Sequence, residues 1–344
     1  LFLKPILAGM NLEARVHNVA FYYLAALAFG IIPFFGYTAL RSFIDALGQT
    51  KISMVITLIS LPVNVFLNYL LIYGKWGFPE LGGVGSGAAT ACTYWVVFLT
   101  ALIIVHRGGA FAEYGVFRQF HGISGRGWLE LARIGTPMGF AIFFETAVFA
   151  AVTLFMSSFN TVTIAAHQAA INFASTLYMI PLSICTALTI LVGYEAGAGR
   201  PKDAQSYSRI GIGTAVALSL AAAVVLLLWG KNVAEIYSRD PDVIAITQQF
   251  LLYAIFFQIS DAIATPTQGV LRGYKDVNPA FFLTFISYWI IGLPVGYVLA
   301  RWTELGPYGY WIGLITGLAV GAATLLLRLW IVQRRFMVGR VKQQ

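Results

Sequence analysis

The sequence is short of charge. Of its 344 residues only 22 are Lys or Arg and 14 are Asp or Glu, or 10% in all, whereas a soluble globular domain carries about 25%. The shortage is concentrated in charge-free runs of 20 or more residues. Such runs exclude an ordinary soluble enzyme, a disordered chain and, despite the net charge of +8, a nucleic-acid-binding module. Cysteine is scarce as well. Cys92 and Cys185 are the only two, sit in separate apolar runs, and show neither disulfide nor metal-ligand spacing. No Asp-rich Mg²⁺ motif, no His-Glu-x-x-His and no nucleophile elbow occurs in the apolar runs, which argues against an integral-membrane enzyme such as a prenyl transferase or protease.

What the sequence has instead is apolar length. Nine candidate spans can be read: Val19–Leu40, Ile52–Tyr73, Gly85–Val105, Ile134–Phe159, Thr163–Leu191, Ile210–Gly230, Val243–Leu271, Ala280–Ala300 and Tyr308–Leu327. Each reaches the roughly 20 helical residues that cross a hydrocarbon core about 30 Å thick. None has the alternating pattern of an outer-membrane strand. The fold class is therefore all-α and polytopic in the lipid bilayer. Residues Leu1 to Met10 look like the tail of a further span, and a chain opening on Leu without a signal peptide is expected to lack its true N-terminus. With the N-terminus outside and the C-terminus cytoplasmic, 16 of the 22 basic residues fall in cytoplasmic segments and 6 in outer ones. That bias satisfies the positive-inside rule. Basic minus acidic residues come to +10 inside, zero outside and −2 within the spans, so the +8 reports topology.

The chain also resembles itself. Phe43-Ile-Asp-Ala-Leu-Gly-Gln-Thr-Lys51 and Gln268-Gly-Val-Leu-Arg-Gly-Tyr-Lys-Asp276 each join two spans at an offset of 225, so that Gly48 matches Gly273. Leu81-Gly-Gly-Val-Gly85 matches Leu305-Gly-Pro-Tyr-Gly309 at an offset of 224. Internal repeats of this kind are common in transporter folds. Spans one to three then correspond to spans seven to nine, and the counterparts of spans four to six are expected upstream of Leu1.

Only two acidic residues lie inside spans. Glu145 is 12 residues past Arg133 and Asp261 is 11 before Arg272, which places both about 16–18 Å from the cytoplasmic edge. An ionised carboxylate at that depth costs at least ~2.5 kcal/mol and needs a proton, a cation or a water-filled cavity. No Lys or Arg is expected at that depth. The pair can exchange a proton or Na⁺; a protonated, structurally hydrogen-bonded acid is the bland alternative.

Gln258, Asp261, Thr265 and Gln268 form a polar stripe on one helical face. Pro266 is expected to loosen the helix and free the Ala262 carbonyl as a further cation ligand. Gln168, Asn172, Ser175 and Met179 make a second stripe, and Thr57, Ser60, Asn64 and Asn68 a third. Stripes of this kind mark either helix contacts or a wet cavity. His167 reads as a packed, hydrogen-bonded residue more than as a ligand. Tyr178, mid-span, is either helix packing or a ring face that attracts a cation. Arg41, Arg272 and Arg328 sit at inner span ends, where snorkelling explains them.

Several stretches together are similar to one family. They are Arg41-Ser-Phe-Ile-Asp-Ala-Leu-Gly-Gln-Thr, Asn64-Val-Phe-Leu-Asn-Tyr69, Tyr73-Gly-Lys-Trp-Gly-Phe-Pro-Glu-Leu-Gly-Gly-Val-Gly85, Ala165-Ala-His-Gln-Ala, Tyr178-Met-Ile-Pro181, Gly197-Ala-Gly199, and Asp261-Ala through Leu271-Arg-Gly-Tyr-Lys-Asp276. Almost end to end, the chain resembles the multidrug and toxic compound extrusion (MATE) transporters of the NorM-like branch.

The resemblance implies twelve helices in two six-helix lobes facing a central cavity, of which this chain holds about nine. The expected division is a partial N-terminal lobe over 1–110, a cytoplasmic inter-lobe loop over 111–132 and a C-terminal lobe over 133–344. The implied activity is cation antiport in the cell inner membrane, with Na⁺ or H⁺ driving export of drug-like organic cations and aromatic compounds. No cofactor and no nucleic acid is implied, and the working unit is a monomer. By motif match, Glu145 and Asp261 become the coupling-cation site, as metal ligands if the ion is Na⁺, with Tyr178 beside them. Gln258, Thr265, Gln268, Gln168, Asn172, Asn64 and Asn68 become polar lining. The first lobe's own carboxylate, carried in many members on the first helix, has no match in this chain. A lipid-linked precursor flippase of related fold would want a basic cavity, where the mid-span charges are acidic; a non-transporting fragment is the other alternative.

Overall fold

The computed structural model describes residues 14–112, 114–116 and 124–341. Among them nine helices are long and apolar enough to cross a membrane, so the protein is a multi-pass membrane protein. They are α1 (Ala14–Ala46), α2 (Thr50–Tyr73), α3 (Gly83–Arg107), α4 (Gly125–Met156), α5 (Thr161–Gly197), α6 (Pro201–Tyr237), α7 (Pro241–Gly273), α8 (Val277–Trp302) and α9 (Pro307–Val341). No strand occurs among the described residues. The tail Leu1–Met10 lies outside them, as do Lys4, Arg118 and Lys342 of the basic residues.

Most helices overrun the apolar spans because their polar caps lie outside them. The Ser124 hydroxyl accepts from the Gly127 amide at the start of α4, and the Asn160 side chain accepts from the Thr163 amide at the start of α5, at 2.8 Å. Asp240 caps α7 ahead of Pro241, whose ring suits the first helical position. The segment 111–132 is accordingly only partly a loop: a helical turn at Gly109–Ala112 enters it, and α4 begins at Gly125.

The chain divides into two compact units, residues 1–122 and 123–344. In the first, α1 and α2 both pack on α3 around Ile44, Ile56, Val97, Ala101, Val105 and Phe111. In the second, α7 is the central helix, touching α5, α6 and α9, and every residue from Ala264 to Leu271 is buried. Exposed large apolar side chains such as Phe143, Leu154, Leu227 and Leu228 cover the outer faces. That is the opposite of a water-soluble surface and is what lipid contact requires.

Each unit repeats one loop. Gly82 and Gly306 have φ of +53° and +52°, a left-handed conformation that suits glycine. Three residues on, Gly85 and Gly309 each press against the backbone of the preceding helix, so closely that a Cβ would stand 2.5 Å from the Leu71 oxygen or 2.4 Å from the Ala300 nitrogen. The other matched pair has diverged in use. Gly48 takes a positive φ in open space, whereas Gly273 lies against Gly193 and the left-handed residue of that turn is Lys275.

Candidate functional site

A cavity of about 560 Å³ lies within the second unit, walled by α4, α5, α7, α8 and α9. Its walls are chiefly apolar, among them Ile142, Phe149, Leu182, Phe257 and Leu314. Glu145 enters it from α4, Tyr178 from α5, Asp261, Thr265, Gln268 and Arg272 from α7, Tyr288 from α8 and Trp311 from α9. The two mid-span carboxylates therefore share one chamber.

Asp261 is 2% exposed. One turn further along α7, the Thr265 hydroxyl donates to its Oδ1 at 2.7 Å, while Oδ2 has no partner among the described residues. A buried polar atom left unpaired costs about 1–3 kcal/mol, and more when charged. A hydrogen-bond donor or a positive charge at Oδ2 would remove that cost. Among the described residues no three His, Cys, Asp or Glu side chains converge. The surrounding oxygens, two carboxylates and the hydroxyls of Thr265, Tyr178 and Tyr288, are hard donors.

Close helix contacts hold these groups in place. Where α5 crosses α7, a Cβ on Gly269 would lie 2.3 Å from the Cys185 carbonyl oxygen, so the backbones touch. The Thr189 hydroxyl bridges the crossing, its one proton shared between the Cys185 carbonyl of its own helix at 2.9 Å and the Gly269 carbonyl of α7 at 3.0 Å. Cys185 is a free, buried thiol there, and Cys92 is free and exposed. On the other side Gly292 and Gly296 of α8 face Gly313 and Gly317 of α9, with a Cβ on Gly313 only 2.4 Å from the Gly296 Cα. Within this contact α8 widens into a π-helical stretch, Ile286–Gly292, which carries Tyr288 at the cavity wall. Such widenings recur at functional sites.

Four expectations change. The helix α7 runs through Pro266 without interruption; proline has no N–H for the Ala262 carbonyl, but Ala262 is fully buried and does not line the cavity, so that carbonyl is not placed as a ligand. Arg272 does not snorkel away from the span. It lines the chamber with the acids, so a basic residue does reach it. Gln258 is buried, with its Oε1 unpartnered, and lies outside the cavity lining. Gln168 and Asn172 line a second opening of about 460 Å³, which has Ile171 and Ser175 in common with the walls of the first, and the Tyr237 hydroxyl donates to Asn172 there.

In the first unit the polar pair makes helix contacts. Asn64 donates to the Thr93 hydroxyl on α3 at 3.1 Å, and Asn68 donates to the Asn64 carbonyl and side-chain oxygens. His167 is packed, as its sequence setting implies. The Trp311 indole donates to its Nδ1 at 3.2 Å, which leaves the proton on Nε2 facing the Thr153 hydroxyl. Arg328 grips Asp276 through two hydrogen bonds of 2.7 and 2.8 Å. Tyr288 and Trp311 escaped the sequence reading. Their signal was the glycine series 309, 313, 317, 321 facing 292 and 296, a small-residue seam that fixes which face of α8 and α9 turns inward.

The family model described as MatE matches residues 1–70 and 137–298. A protein of Bacillus subtilis (strain 168) described as "Probable multidrug resistance protein NorM" is 56% identical over 331 residues, spanning 96% of this chain and 73% of its own length. A protein of the same description from Halalkalibacterium halodurans is 56% identical over 334 residues, spanning 97% and 73%. Among solved structures, the eukaryotic MATE transporter AtDTX14 covers 100% of this chain and 76% of its own at 21% identity, with a TM-score of 0.85. An outward-facing multidrug resistance MATE family transporter of the MOP superfamily gives a TM-score of 0.88 at 17% identity, covering 98% and 75%. These two likenesses show a shared fold.

Proposed function

The chain belongs to the MatE family, and on that premise we propose that it is a secondary active multidrug efflux transporter of the NorM type. In this reading Na⁺ or H⁺ moving inward drives bulky organic cations and aromatic drugs outward by alternating access of two lobes. Glu145 and Asp261 hold the coupling ion, with Tyr178 beside them. No covalent bond is made or broken. The positive-inside bias supports an inner-membrane protein with a cytoplasmic C-terminus.

One observation carries the reading: a fully buried carboxylate with an unpartnered oxygen faces a second carboxylate's chamber. Such a group is stable with a cation or proton and costly without one, so its occupancy can be tied to a conformational change. The apolar walls, and a volume within the roughly 300–1,000 Å³ of small-molecule sites, also suit a flat aromatic cation competing for the same carboxylates.

The test is efflux of ethidium from proteoliposomes under an imposed inward Na⁺ or H⁺ gradient. Glu145→Gln and Asp261→Asn should each insert normally and lose gradient-driven efflux. Wild-type efflux from either variant would overturn the assignment.

A further inference from the structure

The polar stripe of α7 does not end at Gln268. Positions 258, 261, 265 and 268 continue by one further step of four to Arg272, on the same helical face. Its guanidinium turns back along the helix and donates to Gln268 Oε1 at 3.4 Å. The direction follows from helix geometry. Cα–Cβ bonds tilt toward the helix N-terminus, so a long side chain in the last turn is aimed back into the span.

Arg272 also lacks a carboxylate partner among the described residues. Arg328 and Arg200, in the same unit, contact the carboxylates of Asp276 and Glu195 at 2.7 and 2.6 Å. Arg272 contacts no carboxylate among the described residues, yet it lines the same chamber as Glu145 and Asp261. The repeat adds an independent argument. At the offset of 225, Gln258, Asp261, Thr265, Gln268 and Arg272 fall on Pro33, Gly36, Leu40, Phe43 and Leu47. The first unit builds the equivalent hairpin with none of these polar groups. The arginine therefore accompanies the acids as part of one set and is not a requirement of the hairpin.

We propose that Arg272 is the tethered counter-ion of the acid pair, moving onto Glu145 when the coupling ion leaves and held back by Gln268 while the ion is bound. The proposal rests on the reading of Glu145 and Asp261 as the coupling site. Two bare carboxylates in a low-dielectric chamber are costly, and a guanidinium on the same wall replaces the departing cation at short range. It also lowers the affinity for an arriving ion, which favours release.

The experiment reads the half-saturating concentration of the driving ion, Na⁺ or H⁺, in ethidium efflux from proteoliposomes. Arg272→Gln should lower it by about tenfold and slow maximal turnover. Arg272→Lys, which keeps the charge but not the planar guanidinium, should lower it less than Arg272→Gln does. Gln268→Leu should shift it the opposite way, upward, because the guanidinium is no longer restrained. The opposed signs separate the proposal from simple misfolding, and Gln268→Leu carries the test if Arg272→Gln is not recovered as a monodisperse protein. An unchanged half-saturating concentration in both variants would overturn the proposal. If Asp261→Asn retains ion-driven efflux, the coupling site itself is wrong; if it loses efflux while Arg272→Gln is unaltered, only the counter-ion role falls.

Discussion

At the crossing of α5 and α7 a single methyl group should register. In Gly269→Ala the new Cβ would meet the Cys185 carbonyl oxygen at 2.3 Å and its carbonyl carbon and Cα at 2.9 Å, all backbone atoms that cannot rotate away. Restoring ordinary contact needs the helices to part by about 1 Å. The 3.0 Å bond from Thr189 to Gly269 then stretches beyond hydrogen-bonding range. Overpacking costs about 1–3 kcal/mol and the lost interhelical bond about 0.6–1.7, while the better helix propensity of alanine returns about 1. The net loss is about 0.6–3.7 kcal/mol. Cys185, buried at the crossing, is a built-in reporter. Gly269→Ala in a Cys92→Ser background should melt earlier in detergent and label faster at Cys185 with a maleimide dye below the transition. Gly213→Ala on α6, where an added Cβ meets nothing within 4 Å, is the control. Equal melting and equal Cys185 protection in Gly269→Ala would refute the close-crossing argument.

Other outcomes follow from the same geometry. Arg328→Gln strands the Asp276 carboxylate at a partly exposed site, and should cost about 2–4 kcal/mol in detergent melting, with part recovered by adding Asp276→Asn. His167→Phe removes the acceptor of the Trp311 indole, and should cost about 1–3 kcal/mol while raising the ethidium KM, because Trp311 lines the chamber. Asn64→Leu breaks a contact between α2 and α3 without touching the second unit's acids; it should lower stability by about 0.6–1.7 kcal/mol and leave the ion dependence of efflux unchanged.

Nine helices could be read from the sequence because hydrocarbon thickness imposes a length that no other element meets. Their ends could not: Ser124, Asn160 and Asp240 start helices outside the apolar runs, and a cap leaves no mark in hydropathy. Glu145 and Asp261 stood out because a charge at mid-span is so costly. What Asp261 lacks, a partner for Oδ2, is a tertiary fact. Arg272 stands at a span end by residue number, but the tilt of side chains in the last turn points it inward, a direction that distance along the chain does not carry. Pro266 illustrates the reverse error, since packed neighbours keep α7 continuous through a residue that disfavours it. Tyr288 and Trp311 were overlooked because an aromatic in an apolar run carries no contrast.

The central claim is that the Glu145–Asp261 chamber binds the ion that drives transport. Its most direct test is charge displacement on a supported membrane, comparing wild type and Asp261→Asn after a jump in Na⁺ and, separately, a jump in pH. The account predicts a transient in the wild type for one of the two ions and none in Asp261→Asn. A transient of wild-type size in the variant would contradict it.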